Sequence, residues 1–240
     1  LTVREDAVGT VIGRLEGKNP NAPILMTGSH FDTVKTGGRF DGLAGVTAAL
    51  ETARTLHDEG FVPECPIEFV ALPEEEGARF GGGLMGSRAM CGKLTQAEVD
   101  TYKDWDGVTI AEAMKGYGLD PTKIAEAKRT PGEIGTFIEL HIEQGPILEN
   151  NRTDVGIVEA IVGLRCLNVT VTGRSDHAGT TPLNMRADTM LATAKAIVAG
   201  TEKAKELNDG TVVTFGRVET IPGAFNIVAK ETNFNIDCRS

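Results

Sequence analysis

A short apolar run, a stretch with helical periodicity and a second short apolar run follow one another near the start of the sequence. The apolar runs are Ile24–Thr27, which precedes a glycine-containing loop at 28–38, and Ile67–Leu72. From Asp41 to Glu59, apolar residues recur every three or four positions, which is the spacing of one helix face. Strands that alternate with helices are typical of an α/β sheet domain. We therefore predict such a domain in the first half of the chain, with a third strand at Phe137–Ile142.

The second half has a different pattern, in which one long helix is flanked by pairs of strands. The predicted helix is Met185–Leu207, and the predicted strands are Gly156–Val162, Cys166–Thr172, Val212–Val218 and Asn226–Asp237. This order predicts a small α+β unit. We place the domain boundary near Gly163, so that residues 1–162 form one domain and residues 163–240 the other. Residues 84–133 are polar, apart from a helical patch at Ile110–Met114, and no chemistry can be assigned to them.

The charge balance and the cysteines restrict the partners and the compartment. The chain has 24 Lys and Arg against 34 Asp and Glu, a net charge of −10, which argues against nucleic acid or an anionic membrane as partner and suits a metal cation. No apolar run reaches the roughly 18 residues of a membrane span. The four cysteines are scattered, which favours reduced thiols and a cytoplasmic protein. Because the chain begins at Leu1 and stops after a strand-like run, we interpret it as truncated at both ends.

Three of the four histidines lie in unusual motifs. His30 and His141 each follow a strand-like run, as does the acidic cluster Glu74–Glu76, so all three segments are expected at the carboxyl edge of one sheet, where α/β folds bind ligands. Asp41 opens the following helix and can join them. Imidazoles and carboxylates together suit zinc, manganese or a similar divalent ion. Each residue taken singly also fits a structural role, and His57, on the outer part of a helix, is expected to be an exposed bystander.

The motifs as a set resemble those of one enzyme family. They are Gly-Ser-His-Phe-Asp-Thr-Val, Gly-Gly-Arg-Phe-Asp-Gly, Glu-Glu-Glu-Gly-Ala-Arg-Phe, His-Ile-Glu-Gln-Gly and Asp-His-Ala-Gly-Thr-Thr-Pro. Their sequence and order are similar to those of the M20-type metallo-amidohydrolases, in the branch of N-carbamoyl-L-amino-acid hydrolases, β-ureidopropionases and allantoate amidohydrolases. The resemblance implies a metallopeptidase-like α/β catalytic domain, with a mixed sheet and helices on both faces, and a smaller α+β lid and dimerisation domain.

The resemblance also implies two divalent metal ions per subunit, zinc or else manganese, cobalt or nickel. One ion would be held by His30, Asp41 and His141, and Asp41 would bridge to a second ion bound by Glu76. These enzymes usually carry a further metal-binding histidine in a later part of the catalytic domain, and no residue of this chain matches it. We therefore expect the second site to be short of one ligand and the isolated chain to be weak or inactive.

The remaining motif residues resemble catalytic and substrate-binding positions. Asp32 would orient His30, and Glu75 would be the general base that takes a proton from the attacking water and delivers it to the leaving nitrogen. The resemblance further implies that His177 reaches into the partner subunit's site and stabilises the developing oxyanion. The residues expected to hold the substrate are Gln144, His177, Asn226 and Arg239, of which Arg239 suits a carboxylate because its guanidinium can donate two parallel hydrogen bonds.

The expected reaction is hydrolysis of the carbamoyl C–N bond of an N-carbamoyl-L-amino acid in a homodimer. The loop Gly37–Gly42 and the Leu-Ala-Gly-Val that follows resemble those of carbamoylases of the hydantoin-utilising type more than those of allantoate enzymes. Three alternatives stay open: allantoate hydrolysis, peptide cleavage on the same metal core, and a non-catalytic homologue. The retention of Glu75 beside Glu76 argues against a non-catalytic protein, since a binding module needs no base.

Overall fold

The computed structural model describes all 240 residues, which form two compact units, Leu1–Asp154 and Val155–Ser240. The strands are β1 Thr2–Glu5, β2 Val11–Leu15, β3 Ile24–His30, β4 Ile67–Leu72, β5 Ile134–Ile138, β6 Leu164–Thr172, β7 Val212–Thr214, β8 Val218–Ile221 and β9 Glu231–Arg239. The helices are α1 Leu43–Asp58, α2 Met85–Met90, α3 Gln96–Thr101, α4 Ile110–Tyr117, α5 Ile147–Asn151 and α6 Thr189–Leu207, with 3-10 helices at Pro121–Ala127 and Leu183–Met185. None of the helices combines the length and the apolar character needed to cross a membrane.

The first unit is built on a mixed five-stranded sheet with the order β1-β2-β4-β3-β5. Strands β1, β2 and β4 pair antiparallel, whereas β3 lies between β4 and β5 and is parallel to both. His30 is the last residue of β3 and is in register with Leu72, the last residue of β4. The segments that leave β3, β4 and β5 therefore emerge at one edge of the sheet, as the sequence predicts.

Helices cover both faces of this sheet. The side chains of a strand point alternately to its two sides, so one strand can contact helices on both. On β4, Phe69 packs with Ala49 and Ala53 of α1, whereas Val70 packs with Met90 of α2 on the opposite face. The mixed sheet with helices on both faces was predicted and is confirmed.

The polar segment between α2 and β5 folds into a small helical group with an apolar core of its own. Met85, Val99, Ile110 and Met114 pack there with Val8 of the β1–β2 turn. Helices α3 and α4 each begin with a capping box, in which Thr95 pairs with Glu98 and Thr109 with Glu112. The sequence analysis predicted only α4 in this part of the chain. It missed α2, α3 and the 3-10 helix Pro121–Ala127, since only the patch at Ile110–Met114 has enough apolar residues to reveal a helical period.

The second unit is a four-stranded antiparallel sheet with α6 against it. The sheet has the order β6-β9-β7, and β8 also pairs with β9, which is therefore its central strand. Thr189 and Thr193 of α6 and Thr232 of β9 are buried, and the hydroxyl oxygens of Thr189 and Thr232 lie 2.8 Å apart. The predicted α+β unit is thus present, within the compact unit Val155–Ser240.

Several predicted boundaries are wrong. The apolar run Gly156–Val162 is not a strand, because no neighbouring strand pairs with it, and Ile157 and Ile161 are about nine-tenths exposed. The predicted strand Phe137–Ile142 instead starts at Ile134 and leaves the ladder after Ile138. Helix α6 begins at Thr189 rather than Met185, since the Asp188 side chain accepts hydrogen bonds from the Met190 and Leu191 amides as N-cap.

The last two predicted strands also differ from the observed ones. The run Val212–Val218 is divided between β7 and β8, each of which pairs with a different part of β9. The run Asn226–Asp237 begins as a loop, and β9 starts only at Glu231.

Candidate metal centre

Two overlapping clusters of possible metal ligands lie at the carboxyl edge of the first sheet. One contains His30, Asp41 and His141, and the other contains His30, Glu75 and Glu76. Within each cluster the ligand atoms lie within 4.8 Å of one another. The structure therefore brings together all four predicted metal ligands and the predicted base.

The possible metal-binding atoms of the first cluster face one another. His30 Nδ1 lies 2.9 Å from the backbone oxygen of Asp32, and His141 Nδ1 lies 2.8 Å from that of Ile142. Because a carbonyl oxygen only accepts hydrogen bonds, each Nδ1 carries the proton of its neutral ring, and each Nε2 presents a lone pair. The two Nε2 atoms are 3.2 Å apart, and Asp41 Oδ1 lies 3.8 Å from His30 Nε2 and 3.3 Å from His141 Nε2. This donor set fits a divalent cation.

Asp32 connects the histidine to the acidic loop. Its Oδ1 accepts a hydrogen bond of 2.9 Å from the Glu75 amide, and its Oδ2 accepts one of 3.1 Å from the Glu76 amide. The same carboxylate lies 3.7 Å from His30 Nδ1. Asp32 therefore holds the backbone of Glu75 and Glu76 in place and puts a carboxylate beside the His30 ring.

The two acidic side chains of the second cluster hold their protons more tightly than usual. Burial raises the pKa of Glu75, and the charges of Asp32 and Glu139 add to this effect, whereas His30 and His141 oppose it. Burial also raises the pKa of Glu76, followed by the charges of Asp41 and Glu75. Crowded carboxylates of this kind are typical of sites that bind cations or transfer protons.

Glycine is required where α1 approaches the imidazole of His30. Gly42, just before the helix, has φ +66°, and a Cβ atom there would lie 2.4 Å from both Nδ1 and the backbone oxygen of His30. At Gly45 a Cβ atom would lie 2.2 Å from the backbone oxygen of Leu140, near His141. A larger residue at Gly42 would displace His30, and one at Gly45 would displace the backbone that precedes His141.

Three further residues near the centre make supporting contacts, and of these only Glu74, as part of the acidic cluster, was singled out in the sequence. Ser29 donates a hydrogen bond to Glu139, which ties the residue before His30 to the segment that leads to His141. Glu74 accepts hydrogen bonds from the backbone of its own loop and does not belong to either ligand cluster. The sequence signal for Ser29 is its place in the Gly-Ser-His motif, and that for Glu139 is its position two residues before His141.

Gln144, a predicted substrate-binding residue, is engaged by the centre itself. Its amide nitrogen donates to both oxygens of Asp41, at 3.0 and 2.9 Å. The residue has φ +55°, an uncommon conformation for a non-glycine residue.

In the second unit, His177 and Asn226 belong to neighbouring segments. His177 forms an isolated β-bridge with Ile227, and the Ala178 amide donates to the Asn226 backbone oxygen at 3.1 Å. His177 Nδ1 accepts hydrogen bonds from the Gly179 and Thr180 amides at 3.0 and 3.3 Å. In the neutral ring the proton is therefore on Nε2, which leaves an exposed hydrogen-bond donor.

Arg239 lies elsewhere in the second unit and already has a partner. Its Nε and Nη2 donate to the two oxygens of Asp237, at 3.0 and 3.2 Å. This pair lies on one face of β9 and is exposed. His57 is also exposed, at the end of α1, as expected of a bystander.

Comparison with known proteins decides the family. The family description Peptidase family M20/M25/M40 matches residues 26–234, which is most of the chain and includes every residue of the two ligand clusters. The chain belongs to this family. The M20 fold is also found in solved relatives, such as a hydantoinase/carbamoylase family amidase from Burkholderia ambifaria, with a TM-score of 0.86 and 37% identity over 99% of this chain and 57% of that one.

Curated relatives of this M20 chain include two kinds of amidohydrolase. An N-carbamoyl-L-amino-acid amidohydrolase from Paenarthrobacter aurescens is 48% identical over the whole chain, and an allantoate amidohydrolase from Escherichia coli (strain K12) is 41% identical. The chain spans 58% of the length of each.

Proposed function

We propose that the protein containing this chain is a metal-dependent hydrolase that cleaves the carbamoyl C–N bond of N-carbamoyl-L-amino acids. Water adds to the carbamoyl carbon, and the products are the amino acid, ammonia and carbon dioxide. The observation that carries the proposal is the lone-pair arrangement of His30, His141 and Asp41 beside the raised pKa of Glu75. The 48% identity to an N-carbamoyl-L-amino-acid amidohydrolase supports this choice of substrate.

The proposed cofactor is a pair of divalent ions, zinc or else manganese, cobalt or nickel. His30, Asp41 and His141 would hold one ion, and Asp41 and Glu76 would contribute to the other. The charge of Asp41 raises the pKa of Glu76, which supports a shared cation between these two carboxylates. When bound, the ions would polarise the carbonyl group and make the attacking water more acidic.

Glu75 is the proposed general base. Its Oε2 lies 3.9 Å from His30 Nε2, so the carboxylate borders the ligand cluster while its side chain remains 34% exposed. Its pKa is raised above that of an ordinary glutamate. A carboxylate with a raised pKa is a stronger base toward water, and once protonated it can return the proton to the leaving nitrogen. Asp32 keeps this residue in place through the Glu75 amide.

Arg239, Asn226 and Gln144 are the proposed contacts to the substrate. Arg239 would bind the carboxylate through guanidinium N–H groups that Asp237 does not use, or by exchanging that partner. The Gln144 amide would become available once a cation replaces it beside Asp41. All three assignments rest on the family resemblance.

We further propose that residues 163–240 form the lid and dimerisation domain and residues 1–162 the catalytic domain. Strand β6 is at the edge of its sheet, and Leu167 on it and Leu191 and Val198 on α6 are at least half exposed, which supports a surface for a second copy. His177 would donate from Nε2 to the oxyanion in the partner's site. Because Asn226 is joined to the His177 segment by backbone contacts, it would enter the same site as His177.

Allantoate hydrolysis is the second candidate, favoured by the 41% identity to an allantoate amidohydrolase. The experiment that separates the candidates is ammonia release by the full-length protein from N-carbamoyl-L-methionine, N-carbamoyl-β-alanine and allantoate, with and without added manganese, beside a dipeptide. We expect metal-dependent release, fastest from the carbamoyl-L-amino acid. Fastest release from allantoate would select the second candidate, and cleavage of the dipeptide alone would refute both.

A further inference from the structure

The loop from β4 to α2, which carries Glu75 and Glu76, is closed on itself. The Leu84 amide donates to the Glu75 backbone oxygen at 2.7 Å, and the Met85 amide donates to that of Glu74 at 3.0 Å. Four glycines lie within the loop, at positions 77, 81, 82 and 83, all with positive φ. A glycine-rich backbone has little stiffness of its own, so side-chain contacts must hold its shape.

Glu74 provides one such contact from within the loop. Its Oε1 accepts hydrogen bonds from the amides of Arg79 and Phe80, both at 3.1 Å. The residue has φ +50°, a conformation that costs free energy for a residue with a Cβ atom. The first glutamate of the triplet therefore braces the loop, whereas the second and third face the ligand cluster.

Arg79 connects the loop to the small helical group. Its Nε donates to Asp104 Oδ2 at 3.0 Å, and its guanidinium carbon lies 4.8 Å from the centre of the Phe80 ring. The Asp104 side chain is only 2% exposed, and its Oδ1 accepts hydrogen bonds from the amides of Asp106 and Val108 at 3.0 and 2.9 Å. Asp104 is thus a rigid anchor from a segment to which the sequence assigned no chemistry.

We propose that Arg79 and Asp104 are positioning residues for Glu75 and Glu76. Asp32 holds the two amides on the side of β3, and the Arg79–Asp104 pair holds the other arm of the loop, three residues beyond Glu76. With only one of these attachments, the glycines let the loop move and the two carboxylates lose their fixed relation to His30. The ligand cluster then binds a metal in a less defined geometry.

This inference rests on the proposed function for its kinetic and Co²⁺ readouts, whereas amide exchange of the loop is independent of that function. A displacement of about 1 Å at a reacting group can reduce turnover by about 100-fold. We therefore expect kcat to fall by roughly 10- to 100-fold when the pair is broken, with KM changed less than about threefold, because neither residue touches the substrate.

The test compares Asp104→Asn and Arg79→Lys with Arg129→Lys in the full-length protein. Asparagine keeps an oxygen for the Asp106 and Val108 amides but presents an N–H group to Arg79, so it removes the pair selectively. Arg129 donates to Glu68 at 2.7 Å, and that Glu68 side chain is also 2% exposed, so its variant controls for the loss of an arginine–carboxylate pair away from the loop. The measurements are amide hydrogen exchange of peptides covering 74–83, the visible absorption spectrum of bound Co²⁺, and kcat and KM.

We expect faster exchange in 74–83, an altered Co²⁺ spectrum and the fall in kcat in both loop variants, and none of these in Arg129→Lys. Unchanged exchange and an unchanged Co²⁺ spectrum in both loop variants would overturn the inference, and so would the same changes in the control. Because exchange and the spectrum do not depend on turnover, they test the inference even if none of the substrates above is hydrolysed.

Discussion

His30 and His141 point their Nε2 atoms at each other across 3.2 Å, while the Nδ1 atom of each ring faces a backbone oxygen. Two neutral imidazoles in this arrangement repel each other through their lone pairs, and the nearby Asp41 carboxylate adds a third acceptor. A cation removes this repulsion, because each Nε2 lone pair and the Asp41 carboxylate can be directed at it. The arrangement of the three side chains therefore favours a bound metal ion.

Asp32→Asn is expected to weaken Zn²⁺ binding by about 10- to 100-fold, the usual effect of losing a residue that supports metal ligands. Asparagine offers a single carbonyl oxygen, so one of the Glu75 and Glu76 amides loses its acceptor. Competition with a chromophoric chelator measures the affinity. Asp58→Asn, at the exposed end of α1, is the matched control. Equal Zn²⁺ affinities of the two variants would show that Asp32 has no supporting role.

The pH dependence of kcat/KM is expected to report Glu75. Its folded pKa is raised above 4.5, so the carboxylate form that acts as base is lost, as pH falls, at a higher pH than for an ordinary glutamate. Glu139 contributes to this increase, so Glu139→Gln lowers the pKa of Glu75 and moves the acid limb to lower pH. Initial rates between about pH 4 and 8, with the same metal bound, measure the shift. A limb that stays in place or moves upward contradicts the assignment.

Mixing inactive subunits tests whether His177 and Asn226 serve the same partner site. If they do, His177→Ala mixed with Glu75→Gln recovers up to about a quarter of the wild-type activity, since half of randomly formed dimers are hybrids with one complete site. His177→Ala mixed with Asn226→Ala recovers nothing, because every hybrid site lacks one of the two side chains. Recovery in this second mixture would place Asn226 in the site of its own subunit.

Glu98 is expected to make the free energy of unfolding decrease at low pH. Its hydrogen bonds with Arg88 and Thr95 lower its pKa from 4.5 to about 2. Its contribution is therefore complete above about pH 4.5 and is lost as pH falls toward 2. Glu98→Gln keeps an oxygen that can accept from Thr95 but loses the charge that faces Arg88, so it should cost up to about 1 kcal/mol of unfolding free energy at pH 7. Urea unfolding at pH 7 and pH 3 measures it, and a difference from wild type that does not shrink at pH 3 contradicts the mechanism.

The position of the ligand segments at one edge of the sheet could be predicted because a local sequence pattern marks each of them. Each ligand segment follows a short apolar run that becomes β3, β4 or β5, and parallel neighbours bring their ends together. Periodicity of this kind also located α1 to within two residues of each end. The strand prediction failed for Gly156–Val162, since an apolar run forms a strand only when a neighbouring strand can pair with it.

The supporting contacts could not be predicted because they join residues far apart in the chain. Asp104 meets Arg79 across 25 positions, and Glu139 meets Ser29 across 110. Polar residues in a weakly periodic segment look like surface residues until the fold brings them to their partners. The Gln144–Asp41 contact belongs to the same class.

The most direct test of the central claim is Glu75→Gln in the full-length protein, with ammonia release and bound metal measured on the same sample. We predict that bound metal is unchanged and that ammonia release from N-carbamoyl-L-methionine falls by about 100- to 10,000-fold, as for the loss of a general base. Release at the wild-type rate would contradict the account. Loss of the metal together with activity would also contradict it, because it would make Glu75 a ligand, as its place in the second cluster allows.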